Sequence, residues 1–314
     1  MADPLASWKT GPVKSAILDF IDRATLATGP DFVPPPERIA VFDNDGTLWC
    51  EQPLQVQVFF AQDRLEALAA KNPSLRERQP FKAFLERDIE AIRALGKQAV
   101  FETAFLTHAA TTESTFRDIV RTWLATARHP RLGRLFTDCV FQPQIELMRH
   151  LTAHGFKVFI VSGGGIDLIR GFAEDVYGIP PEQVIGSSVK TRVTVEGNRI
   201  ELMKLAELNS FDDREAKVSN IGLHIGRRPI FAFGNSDGDL AMLRYAKSGD
   251  GPRLALLLHH DDTEREFGYD RDFKLSPLAE ALDRADEFGF TVVSMKQDWK
   301  AVFDSVDAHA TAVT

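Results

Sequence analysis

Short uninterrupted apolar runs alternate with longer stretches of helical spacing along most of this chain. Ile39-Ala40-Val41-Phe42, Lys157-Val158-Phe159-Ile160-Val161, Pro229-Ile230-Phe231-Ala232-Phe233 and Leu254-Ala255-Leu256-Leu257-Leu258 are too short to be helices. Their β-branched and aromatic content, bounded by turn residues, predicts strands buried on both faces. Val184-Ile185-Gly186-Ser187-Ser188-Val189 predicts a further short strand. Between them, Val13, Ile17, Leu18 and Ile21 recur at helical spacing, with Pro12 suited to the first turn. A second helix, roughly Pro143 to His154, closes at Gly155. Strands alternating with helices predict an α/β fold with a mostly parallel, Rossmann-like sheet and right-handed crossovers.

One connection breaks the alternation. Roughly 100 residues separate Thr47 from Lys157, far beyond an ordinary crossover. Within them Leu54 to Ala70, Pro80 to Leu95, Ala99 to Ala109 and Ser114 to Ala127 have helical spacing. This predicts an inserted α-helical domain over 51–138, with a discontinuous core formed by 1–50 and 139–314. The two linkers should then run side by side, which brings Cys50 and Cys139 near each other. Around Glu196-Gly197-Asn198, flanked by Val193-Thr194-Val195 and Arg199-Ile200-Glu201-Leu202, the pattern predicts a hairpin.

Polar residues collect where the predicted strands end. Asp43-Asn44-Asp45-Gly46-Thr47 follows the first, Ser162-Gly163-Gly164-Gly165 the second, and Gly234-Asn235-Ser236-Asp237-Gly238-Asp239 the fourth. In open α/β sheets ligands bind outside the carboxyl ends of strands. Period two would put Asp43 and Asp45 on one face, and the glycines after Ser162 would expose backbone N–H groups to an anion. Neither acidic cluster is an EF-hand, because Val41 and Gln52 in the first, and Phe233 and Arg244 in the second, fall where ligands belong.

Composition adds little beyond exclusions. The formal net charge of -8 argues against nucleic acid and acidic membrane surfaces as partners, while leaving room for a local phosphate site. No run is long enough to span a bilayer. Met1 to Pro12 lacks the apolar stretch of a signal peptide. With two cysteines there is no disulfide framework, and a cytoplasmic enzyme is expected.

Together these motifs resemble the haloacid dehalogenase-like superfamily, on its phosphatase branch and close to phosphoserine phosphatase-like members. Asp43-Asn44-Asp45-Gly46-Thr47 is similar to its first motif, Ser162 after an apolar strand to its second, Lys217 to its third, and Gly234 to Asp239 to its fourth. The helical insertion falls where that family places a cap. The resemblance implies a magnesium-dependent phosphatase acting on a small phosphomonoester through an aspartyl-phosphate. In it Asp43 is the nucleophile and Asp45 the acid and base, while Thr47, Ser162, Gly163 and Lys217 bind phosphate. Asp43, Asp45 (through its backbone carbonyl), Asn235 and Asp239 would hold Mg2+. Where the fourth motif usually has Asp, this chain has Asn235, which leaves Asp237 and Asp239 as rival inner ligands. Glu51, just past the first motif, is a candidate substrate contact. The second acid Asp45 argues against a dehalogenase, since a halide leaves without a proton. A phosphomutase or a phospho-accepting receiver-like module are the alternatives. Neither the phosphomonoester nor the oligomeric state is readable from the residues.

Overall fold

The computed structural model describes residues 3–304. The outer ends of the expected 1–50 and 139–314 core, and the first two residues of the N-terminal stretch, lie outside the described residues. The sheet has eight strands: β1 Ile39–Phe42, β2 Lys157–Gly165, β3 Val184–Glu196, β4 Arg199–Ser210, β5 Phe231–Gly234, β6 Leu254–Asp261, β7 Gly268–Tyr269 and β8 Thr291–Ser294. Their order is β4-β3-β2-β1-β5-β6-β7, with β8 also paired to β6. β2, β1, β5, β6 and β8 are parallel, as is β2 to β3. The outer β4 and β7 run antiparallel to their neighbours.

Period two explains why these strands read as continuous apolar runs. Ala40 and Phe42 of β1, Phe231 and Phe233 of β5, and Leu254, Leu256 and Leu258 of β6 enter one core. Ile39 and Val41, Ala232, and Ala255 and Leu257 enter the core on the opposite face. Each strand is thus apolar at every position because both faces are covered. Phe42 lies against Phe231 and Phe233, with ring centroids 5.3 and 6.0 Å apart.

The predicted third strand and the hairpin are one continuous feature. β3 runs unbroken from Val184 to Glu196 and turns into β4 at Gly197, which has φ +60°. Between β1 and β2 the chain forms the helices Val56–Lys71, Phe81–Leu85, Ile89–His108 and Glu113–Leu124. The third of these is interrupted at Gly96, whose φ of 78° is non-helical. The first three enclose a core that includes Leu54, Val58, Leu65, Phe84 and Ile92, and takes in Phe273 and Leu275 from the segment after β7, while Phe60 of the first and Phe116, Val120 and Leu124 of the fourth pack into the core on the sheet. The entering and leaving segments do run side by side: Cys50 N–H donates to the Cys139 carbonyl at 3.0 Å. Both cysteines are buried free thiols.

Candidate active site

β1 lies at the centre of the sheet, between β2 and β5, and Asp43 is the first residue beyond it. Its N–H still donates to the Phe233 carbonyl at 2.9 Å, so the side chain is held at the mouth of the β1–β5 pair. Gly46, at φ 75°, then turns the chain sharply back. Trp49 closes that turn, its indole Nε1 donating to Asp45 Oδ1 at 2.7 Å.

Lys217 organises the centre. Its ammonium donates to Asp43 Oδ1 and Asp239 Oδ1 at 2.6 Å each and to the Val161 carbonyl at 2.8 Å. An ammonium has three hydrogens, so Lys217 is saturated. Burial works against its charge, but Asp239 and Asp43 outweigh burial and the pKa is raised. Asp43 is pushed up to about 8, by burial first and by the Asp239 charge second, against the pull of Lys217. Burial raises Asp45 to about 6, opposed by the Trp49 hydrogen bond. Asp43 therefore feels more burial and negative charge than Lys217 offsets, whereas Asp45 is raised by burial alone.

Asp43, Asp45, Ser162, Gly163 and Lys217 line one cavity of about 70 Å³, with Gln55, Gln57, Val100 and Leu275 among the other walls. The glycines after Ser162 make this approach possible: a Cβ on Gly164 would lie 3.1 Å from Asp45 Oδ2. These sequence-predicted residues are thus brought together from separate stretches of the chain.

Four others fall differently. Thr47 is buried, and its hydroxyl donates to Asn235 Oδ1 at 3.2 Å rather than lining the cavity. The Gly46 turn has carried it beneath the loop. Glu51 is fully buried and also lies off the cavity. Its Oε1 accepts from Asn235 Nδ2 at 2.9 Å and Tyr269 O–H at 3.0 Å, and its Oε2 accepts from Gln55 at 3.0 Å. Burial, and then the charges of Asp45 and Asp43, raise its pKa well above the ordinary range. Asp239, the expected metal ligand, has both oxygens engaged: Oδ1 with Lys217, Oδ2 with the N–H groups of Asn235 and Ser236 at 2.9 and 3.1 Å. Asp237 faces away and accepts from the N–H groups of Ala279, Glu280 and Ala281 at 2.9–3.2 Å, capping the Glu280–Asp283 helix. Asp239 nevertheless lines the cavity, whereas the Asn235 amide is held off it between Thr47 and Glu51. Among the described residues no three Asp, Glu, His or Cys side chains form a ready metal cluster. Amide or main-chain oxygens would have to complete one.

Sequence reasoning missed three residues here. Gln57 is nine-tenths buried, lines the cavity and accepts from the Gly165 N–H at 2.7 Å. Its one signal was a polar residue amid Val56, Val58, Phe59 and Phe60. His260 Nε2 lies 2.7 Å from the Gly46 carbonyl, and its ring stacks on Tyr269 at 4.3 Å. Nothing local marks His260 or Tyr269.

Residues 40–244 match the haloacid dehalogenase-like hydrolase family. None of the curated proteins matches this sequence. Among solved structures, the fold is similar to a protein of unknown function from Bordetella pertussis Tohama I, at 16% identity and TM-score 0.52 over 82% of this chain and 98% of that one. A functionally unknown protein from Anaerococcus prevotii DSM 20548 matches at 17% identity and TM-score 0.51, over 80% and 86%. The probable phosphoserine phosphatase of Vibrio cholerae matches at 15% and TM-score 0.38, over 73% and 58%.

Proposed function

The chain belongs to the haloacid dehalogenase-like hydrolases, and we propose that it is a magnesium-dependent phosphatase of small phosphomonoesters. One observation carries this reading: two carboxyls of unequal environment, Asp43 and Asp45, share a single cavity with the hydroxyl and glycines of the second strand end and one lysine. A dehalogenase needs only the first of these acids.

Asp43 attacks phosphorus, and the bond to the leaving oxygen breaks as an aspartyl-phosphate forms. Asp45, with its pKa at about 6, donates the proton that the leaving oxygen needs. Asp45 then removes a proton from the water that attacks the aspartyl-phosphate, freeing inorganic phosphate and returning both acids to their starting forms. The charge of Lys217, the Ser162 hydroxyl and the Gly163 N–H stabilise the phosphoryl oxygens. Substrate specificity falls to the helical insertion, read as a cap over 51–138 that contributes Gln55, Gln57 and Val100.

The donor set fits a hard cation. Asp43 and Asp239 both bond one lysine, Asp45 opens on the same cavity, and the groups on offer are oxygens. Asp43, the Asp45 carbonyl, Asn235 and Asp239 would hold Mg2+, and of these Asp43, Asp45 and Asp239 line the cavity. When bound, Mg2+ would shield the charge between phosphate and carboxylate. The test is inorganic phosphate release across a panel of small phosphomonoesters, with and without Mg2+. Release that depends on the cation and disappears in Asp43→Asn is expected, and no release from any ester would overturn the reading.

A further inference from the structure

After Ser162 the second strand leaves its ladder and then rejoins it. Ser162 is level with Gly186 and Gly165 with Ser187, so Gly163 and Gly164 bulge out of the β2–β3 register. Both bulged glycines line the cavity. A bulge has no ladder to fix its backbone groups, and here separate contacts do so. The Gly164 N–H donates to Ser162 Oγ at 3.0 Å. The Gly163 carbonyl accepts from Ser187 Oγ at 2.8 Å, and that oxygen accepts in turn from the Asp212 N–H at 3.0 Å. The Gly165 N–H donates to Gln57 Oε1 at 2.7 Å.

These holders come from two sides. Ser162, Ser187 and Asp212 belong to the sheet and its connections, whereas Gln57 is the second residue of Val56–Lys71, the first helix of the insertion. An N–H can only donate, so the Gln57 amide must present its oxygen to Gly165. The fit is close. A Cβ on Gly165 would lie 2.8 Å from Gln57 Nε2, and one on Gly164 would lie 3.7 Å from Gln57 Oε1, 3.3 Å from Ser162 Oγ and 3.1 Å from Asp45 Oδ2. The amide thus rests against the bulge beside the acid and the hydroxyl of the site. If the helix moves away, the Gly165 N–H loses this acceptor and the bulge loses its hold on the insertion side.

We propose that Gln57 is a positioning residue through which the insertion sets the shape of the anion-binding bulge, so that an anion at Ser162 and Gly163 and a seated insertion favour one another. The dependence runs both ways, because coupling between two equilibria is reciprocal. Ser187 holds the same bulge from the core side, and its support does not depend on where the insertion stands. The inference rests on the phosphate site of the proposed reaction.

The probe is inorganic phosphate in the presence of Mg2+, titrated calorimetrically into wild type, Gln57→Leu, Gln57→Glu and Ser187→Ala. Hydrogen exchange along Val56–Lys71 is followed with and without saturating phosphate. In wild type, bound phosphate should slow exchange along this helix. Gln57→Leu should bind phosphate roughly tenfold more weakly and show no slowing at saturation. Ser187→Ala should also lose affinity, yet keep the slowing. A merely structural Gln57 would alter exchange equally with and without phosphate. Gln57→Glu still offers an acceptor to the Gly165 N–H, so it should keep the slowing although its charge weakens phosphate binding. Slowing preserved in Gln57→Leu, slowing lost in Gln57→Glu, unchanged phosphate affinity in Gln57→Leu, or no effect of phosphate on the wild-type helix would each overturn the proposal. If Gln57→Leu does not fold, the other two variants carry the test, and loss of the slowing in either refutes it. Ester hydrolysis is measured in parallel. Gln57-dependent coupling without release from any ester would remove the phosphatase reading and leave this inference standing. Release without such coupling would do the reverse.

Discussion

Trp49 donates its indole hydrogen to Asp45 Oδ1 at 2.7 Å, while the same indole stacks on Phe172 with centroids 4.5 Å apart. The residue proposed to move protons is therefore held by a side chain that is itself packed in place. That bond lowers the Asp45 pKa against the larger upward push of burial, so removing it should raise the pKa further. In Trp49→Phe the limb of the phosphorylation rate that falls as Asp45 ionises should move to higher pH. Single-turnover pH profiles of both proteins check this; an unmoved or lowered limb would count against the role of the bond.

Asp45→Asn should slow phosphorylation from esters with poor leaving groups far more than from p-nitrophenyl phosphate, whose nitrophenolate leaves without a proton. Equal losses on both, measured as single turnovers, would argue that Asp45 is not the acid. Asp43→Asn, by contrast, should depress release from every ester by on the order of 10⁴-fold with the fold retained.

The raised pKa of Asp45 has a consequence for stability. A carboxyl whose folded pKa exceeds its unfolded value stabilises the fold at low pH, and that contribution is lost as pH rises through the folded pKa. For Asp45 the window runs from 3.8 to about 6. Without divalent cations, Asp45→Asn should therefore gain stability over wild type as pH climbs from about 4 to about 7, by about 1–3 kcal/mol. Denaturant melts at the two pH values read it directly.

Gly46→Ala should be far worse than Gly96→Ala, although both glycines have positive φ, 75° and 78°. At Gly96 nothing lies within 4 Å of the added Cβ, whereas at Gly46 it collides with Asn235 and Glu51. The first change should abolish phosphate release and Mg2+ binding. The second should cost about 1 kcal/mol of stability in the backbone strain alone. Comparable stability and activity in the two variants would contradict the packing at Gly46.

Much of the frame was readable in advance because it is local. β1 declares itself by its apolar run, and Asp43 and Asp45 by the turn that follows. The helices Val56–Lys71 and Gln142–Ala153 follow their spacing closely. What escaped depends on contacts between distant segments. Asp237 belongs to the motif by sequence, yet its carboxylate is claimed by backbone N–H groups at Ala279 to Ala281. Glu51 looked like a substrate contact by its place after the first motif. The left-handed Gly46 turns the following residues under the loop, toward Asn235 and Tyr269. The long β3–β4 arm was divided into a strand and a hairpin because its polar outer half lacks the burial signature of its root.

Phe273 and Leu275 join the core of the helical insertion from the far end of the chain. The insertion is thus held by its two chain crossings, side by side at Cys50 and Cys139, by the packing of Phe60, Phe116, Val120 and Leu124 into the core on the sheet, by backbone hydrogen bonds at Thr111 and Lys204, and by this apolar contact from the far end. The two crossings are adjacent, as in a hinge, and the contact at Phe273 and Leu275 is one part of what holds it shut. With Leu275 also in the cavity wall, swinging the helices away from the sheet means wetting these side chains as well. Greasy side chains more than 200 residues from the nucleophile in sequence would then share in setting the pace at which a spent product departs.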